Sequence, residues 1–207
     1  FADVHTEGIT KISARDIRYA RDMGHVIKLL GVARNTEKGV EVMVHPMLIA
    51  QDHPLASVND SYNAVFVRGD AVQDTMFYGR GAGELPTASA VVGDIFEIIR
   101  NMAFGCCGRI GCTCYKELPI VPVEETYSKY FIRIRVEDRT GVLASIAAVF
   151  GNNSVSLEQV MQRRRKEDCA ELVLITAAVK ERHLRDALTI LEGMSIVREI
   201  SSVIRVD

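Results

Sequence analysis

The chain has 207 residues, 48% of them hydrophobic and 25% charged, which suits a soluble globular protein of one large domain or two small ones. A net charge of −2 gives no global reason to bind nucleic acid or an anionic membrane, and no apolar run approaches the ~18 residues that a membrane helix needs. Five cysteines, an odd number and unevenly placed, argue against a secreted disulfide framework, so a cytoplasmic location is expected.

In chain order, Phe1 opens the sequence without a Met or a basic-then-apolar leader, which reads as a processed or truncated beginning. Ser13 is a good helix cap, with Asp16 as its capping-box partner, and predicts a helix over 14–23 that stops at Gly24. Residues 25–33 and the alternating 40–44 predict an antiparallel hairpin with one wet face. A second strand pair is expected at 63–68 and 72–78, joined by Gly69-Asp70-Ala71. Strands paired in sequence order between helices predict an α+β fold with a mixed, largely antiparallel sheet.

Residues 87–103 predict a helix capped by Thr87, with Val91, Val92, Ile95, Ile98, Ile99 and Met102 at helical spacing; so wide an apolar face is expected to pack on a sheet. Periodicity then breaks over 105–122. From Tyr130 a strand carries Ile132, Ile134 and Val136 inward, with Arg133 and Arg135 on a wet face. Gly141 opens a helix with Leu143, Ile146, Ala147 and Phe150 as its stripe, ended by Asn152 and Asn153. Strands at 155–163 and 170–179 flank a charged turn at 164–168, and a helix over 181–192 and a strand over 196–206 follow. The order βαββαβ in about eighty residues is the ferredoxin-like unit.

Gly79, Gly81 and Gly83 allow close backbone approach and positive φ before a helix start, which suits a flat ligand or a tight structural turn. Cys106, Cys107, Cys112 and Cys114 lack the C-x-x-C knuckle of most zinc sites. They read as a reduced linker rather than a metal site, although four thiolates so close could wrap one ion. The five histidines show no i, i+4 ligand pairing, and Arg163-Arg164-Arg165-Lys166, followed by Glu167-Asp168, reads as a solvated hairpin turn.

Val4-His5-Thr6-Glu7-Gly8-Ile9, His53-Pro54-Leu55-Ala56, Asn63-Ala64-Val65 and the run from Gly79 to Asp94 resemble, in that order, the later part of homoserine dehydrogenase catalytic domains. Asp138-Arg139-Thr140-Gly141-Val142-Leu143 resembles the loop-to-helix signature of an ACT domain. The resemblance implies a catalytic substrate and dimerisation domain over 1–118, a linker over 119–128 and an ACT regulatory domain over 129–207. It also implies NAD(P)-dependent interconversion of L-homoserine and L-aspartate 4-semialdehyde in a homodimer or homotetramer, with L-threonine as effector. Gly83, with Gly81 and Gly79, is implied to lie against the cofactor. Asp138, Gly141, Val142 and Leu143 are implied to bind the effector carboxylate at a helix start, and Asn152 and Asn153 its amino or hydroxyl group across a dimer.

The family's Gly-x-Gly-x-x-Gly fingerprint and its Asp-x-x-x-Lys segment do not occur in the sequence. No catalytic residue is therefore carried over, and the chain alone is expected to be inactive. The alternative is a free-standing ACT amino-acid-binding module fused to an unrelated domain.

Overall fold

Residues 2–106, 112, 114–164 and 169–207 are described by the computed structural model, the side chains of 163 and 164 excepted. They form two compact units, one of residues 1–51 with 118–207 and one of residues 52–117. The turn expected at 164–168 falls largely outside the described residues, as does Cys107.

In the first unit Ser13 and Asp16 close the expected capping box on α1 (Ala14–Asp22), the Asp16 carboxylate accepting the Ser13 N–H at 2.8 Å. The predicted hairpin is longer than its alternating core. β2 (His25–Thr36) pairs antiparallel with β3 (Gly39–Ala50) along the whole of both strands. The other edge of β3 takes β1 (His5–Thr6) in parallel at Met43 and Val44. Further along, β3 pairs in parallel with β10 (Val197–Val206), Met47 against Arg205 and Leu48 against Val206.

β10 belongs to the predicted βαββαβ unit, completed by β6 (Tyr127–Glu137), α3 (Val142–Asn152), β7 (Leu157–Arg164), β8 (Cys169–Thr176) and α4 (Glu181–Glu192). A short β9 (Val179–Lys180) pairs with the start of β6. The antiparallel order β10-β6-β8-β7 is the expected ferredoxin-like one, and β3 extends it into one eight-stranded sheet. Strands from either side of the 119–128 segment thus share a single sheet.

The period-2 rhythm of β6 decides what lies on each face. Tyr130, Ile132, Ile134 and Val136 enter a core with Ile146, Phe150, Leu184 and Leu191 of α3 and α4. The inward stripe of α3 is Val142, Ile146 and Phe150 rather than the expected Leu143 and Ala147, which are exposed. Ile146 and Phe150 are as expected; Gly141 takes the left-handed N-cap position (φ 86°), so Val142 is the first helical residue and stands one turn before Ile146 on the same face.

The opposite face of the sheet was expected to be wet, and this is corrected: α1 covers it. Tyr19 and Ala20 pack on Phe131, Val173, Ile204, Val206 and Leu48. Arg133, read from its alternation as solvent-facing, is 4% exposed. It is tolerated there because it is paired: Nε donates to Asp16 at 2.8 Å and Nη1 to Glu171 at 2.9 Å. Arg205, also buried, donates to Glu7 beyond β1 at 2.7 Å and to Glu181 of α4 at 2.8 Å. Glu181 in turn accepts from the buried Tyr130 hydroxyl.

These carboxylates give the unit an acid-sensitive seam. Burial alone would raise the Asp16 carboxyl, but hydrogen bonds from Arg133, Ser13 and Ser202 outweigh it and hold it below the usual carboxylate range. Glu7 is held down likewise, by His5 and Arg205 against the effect of burial. A depressed folded-state value means stability that is complete above the unfolded-state value and lost as the pH falls through the folded one. The urea midpoint is expected to fall steeply below about pH 4. Asp16→Asn should flatten that slope, and a midpoint with the same acid dependence in the variant would rule Asp16 out as its source.

In the second unit β4 (Tyr62–Gly69) and β5 (Gln73–Arg80) form the second expected hairpin, Tyr62 opposite Arg80 and Gly69 opposite Gln73. Tyr62 and Tyr78 stack at 4.8 Å, and the Arg80 guanidinium sits over the Tyr62 ring. The helix that follows, α2 (Glu84–Ala103), starts three residues before Thr87, with Gly83 as its N-cap and no side-chain cap. Its expected packing on a sheet is not seen. Among the described residues α2 buries none of its own, and Met102 is 77% exposed. A two-stranded hairpin is too narrow to cover the wide apolar face of a 20-residue helix.

Candidate functional site

Two sites follow from the sequence, one in each unit. In the second unit the chain leaves β5 at Arg80 and enters α2 at Glu84 through Gly81-Ala82-Gly83. Only Gly83 of the three glycines has a positive φ, at 122°, where an L side chain is strained. Gly81 matters sterically: a Cβ there would lie 2.2 Å from the Asn63 amide nitrogen. Gly79 faces open space.

The start of α2 is a poor anion cradle. Pro86 removes one of the first-turn N–H donors, and Glu84 puts a negative charge beside the remaining ones. What the loop offers is exposed, side-chain-free backbone, suited to a flat surface. Sequence reasoning placed the helix start at Thr87, whose N–H instead donates to the Gly83 carbonyl.

In the first unit a cleft of about 470 Å³ opens where β6 runs into α3. Gly141, Val142 and Leu143 line it, with Arg139, Thr140, Ala144 and Ala147. Left-handed Gly141 turns the chain so that the first-turn N–H groups of Val142, Leu143 and Ala144 have no acceptor within the helix. They give this end of the cleft a rim of backbone donors over an apolar floor of Val136 and Leu172; the Arg139 guanidinium there is paired at 3.0 Å with Glu137, which also lines the cleft.

Asp138 stands beside the cleft rather than in its lining. Asn152 and Asn153 lie at the other end of α3, about 16 Å away along the helix, and Asn153 donates its amide to the Val149 carbonyl at 2.8 Å. The structure therefore brings Gly141, Val142 and Leu143 together and leaves the two asparagines apart from them. Gln162 and Leu172 also line the cleft and were missed, because only the pairing of β7 with β8 places them opposite one another. Arg139 was legible, since it falls inside the loop motif. Among the described residues no group of three His, Cys, Asp or Glu side chains could hold a metal ion, and no helix is long and apolar enough to cross a membrane.

Comparison with known proteins divides the chain differently from the two compact units, since residues 1–51 share a unit with the second match. The family model for homoserine dehydrogenase matches residues 1–96, and that for the ACT domain matches residues 130–194. The chain is 42% identical over 211 residues to the homoserine dehydrogenase of Corynebacterium glutamicum, covering 99% of this chain and 47% of that protein. It is 39% identical over 214 residues to the homoserine dehydrogenase of Pseudomonas aeruginosa, covering 100% and 49%. Among solved structures it resembles a homoserine dehydrogenase from Thiobacillus denitrificans, with TM-score 0.89, 35% identity and coverage of 100% and 48%. The chain spans about half the length of the curated relatives it matches.

Proposed function

We propose that the chain, which belongs to the homoserine dehydrogenase family and carries an ACT domain over residues 130–194, supplies the substrate-domain and regulatory parts of an enzyme that interconverts L-homoserine and L-aspartate 4-semialdehyde. The observation that carries this reading is identity of 36–42% running through essentially the whole chain. Similarity of residues 1–96 to the dehydrogenase model counts against an ACT module joined to an unrelated domain. With it we propose residues 1–118 as catalytic-domain sequence, 119–128 as linker and 129–207 as the regulatory domain.

The family uses a nicotinamide cofactor, NAD(P), which when bound accepts or returns the hydride. The glycine loop fits such a group. Gly83 has no side chain at φ 122°, and Glu84 together with Pro86 disfavours the phosphates, so the nicotinamide ring, cationic when oxidised, is the part of the cofactor that suits the loop. Gly83, Gly81 and Gly79 are proposed to let that ring approach the backbone and to exclude water from one side of it.

For the cleft at the start of α3 we propose an amino-acid effector, L-threonine. Its carboxylate would sit on the N–H groups of Val142 and Leu143 near Arg139, and Asp138, beside the cleft, is proposed to meet the ligand's ammonium group. Asn152 and Asn153 are too distant to help within one chain, so they are proposed to act across a dimer. The edge of β10 is taken by β3, which leaves β7, with Val160 and Met161 exposed, as the open edge of the ACT unit for pairing with a second copy.

A chimera tests the catalytic reading. Residues 1–207 would replace the matching half of the C. glutamicum enzyme, and L-homoserine oxidation would be followed by absorbance of the reduced cofactor. Turnover of ~1–100 s⁻¹ is expected. Gly83→Val in the chimera should lower kcat/KM by about 100-fold through misplacement of the cofactor, with the melting temperature lowered by only a few degrees, the cost of about 1–3 kcal/mol for one strained loop position. A folded chimera that turns nothing over would overturn the assignment. An unchanged kcat/KM in the variant would make the loop a turn and nothing more.

A further inference from the structure

The two faces of β6 and β8 lead to different places. Toward α3, Val136 of β6 and Leu172 of β8 form the floor of the cleft. Toward α1, Arg133 of β6 and Glu171 of β8 enter a buried polar cluster with Asp16. Glu171 and Leu172 are consecutive, so displacing one moves the other on the opposite face of the same strand.

The cluster has little slack. Arg133 donates to Asp16 at 2.8 Å, to Glu171 at 2.9 Å and to Ser13 at 3.1 Å. Tyr19 of α1 donates to Glu171 at 2.7 Å, and Ser202 of β10 donates to Asp16 at 2.6 Å. Asp16 and Glu171 are both essentially inaccessible, so water cannot substitute for a partner that moves away. Ser13, Asp16 and Tyr19 lie in the sequence that matches the dehydrogenase model, whereas Arg133 and Glu171 lie in the ACT match.

We propose that the Asp16–Arg133–Glu171 cluster is the coupling element that transmits occupancy of the α3 cleft to α1, and so from the ACT unit into dehydrogenase sequence. The coupling deepens the effector reading of the cleft and rests on it. A filled cleft displaces Leu172; Glu171 follows on the other face; and α1 follows Glu171 through Arg133 and Tyr19. A looser, hydrated contact would absorb such a shift, and a buried array of directional bonds does not.

Amide hydrogen exchange of residues 17–23 in the full 207-residue chain is the readout. The cleft is filled in two ways, by L-threonine and, without any ligand, by Ala144→Phe at its wall. Either filling is expected to change exchange on α1 by about 5- to 150-fold, the range of ordinary allosteric coupling. Glu171→Gln, and the milder Tyr19→Phe should the first fail to fold, are expected to reduce that change to under about twofold, with threonine affinity held within about threefold. If threonine does not bind but Ala144→Phe still changes α1 exchange, the effector assignment falls and the coupling stands. If neither filling changes α1 exchange, or the change persists undiminished in the folded variants, the coupling is overturned.

Discussion

Arg133→Met will destabilise the unit of residues 1–51 and 118–207 by about 3–5 kcal/mol, the usual cost of breaking a buried ion pair on one side. The methionine approximates the volume of the arginine stem but leaves Asp16 and Glu171 buried without their cation. Arg135, two residues along the same strand, is the matched control. It pairs with Glu199, and both side chains are 40–50% exposed, so Arg135→Met should cost about 0–1 kcal/mol. Urea unfolding of the two variants makes the comparison. Equal losses would show that Arg133 is solvated and that the covering of this face by α1 is wrong. If the buried charges are costly in themselves, replacing Asp16, Arg133 and Glu171 together by apolar residues should restore much of the loss.

Residues 128–207 produced alone will fail to give a cooperative unfolding transition at neutral pH. The boundary read from the sequence makes this fragment look like a self-sufficient domain, and its helix-side core would be intact. Its other face would lose Tyr19, Ala20 and Leu48, exposing Phe131, Val173, Ile204 and Val206. Each such side chain is worth roughly 1.5–3 kcal/mol when buried. Four of them rival the whole stability of a small domain, roughly 5–15 kcal/mol. A calorimetric scan of the fragment beside the full chain decides the matter. A sharp transition within a few degrees of that of the full chain would make residues 1–51 an accessory rather than part of the core.

Much of the fold was legible because local signals and burial agree. The Ser13–Asp16 cap, the helix at 181–192 and the βαββαβ order all rest on short-range chemistry that the structure keeps. The far face of the ACT sheet was not legible, because alternation of Ile with Arg looks the same whether the arginine meets water or a carboxylate. Asp16 lies 117 positions from Arg133, and no local pattern links them. The start of α2 was misplaced for the opposite reason. Thr87 is the better N-cap by type, but Gly83 and Pro86 fix the backbone earlier. At the candidate sites the loop residues Gly83 and Gly141 stood out through their motifs. Gln162 and Leu172 became cleft residues only through strand pairing.

The pairing of β3 with β10 also fixes an order of events in time. Met47 and Leu48 meet Arg205 and Val206, 158 residues later in the chain, so the sheet cannot close until its last strand has left the ribosome. At ~5–20 residues per second the edge of β3 waits roughly ten to thirty seconds for that partner. The hairpin of β4 with β5 has all its pairing partners within 18 positions and can form meanwhile. During synthesis the nascent chain therefore carries an open β3 edge and an uncovered α1 face together, the combination that binds holdase chaperones and that aggregates when they are scarce.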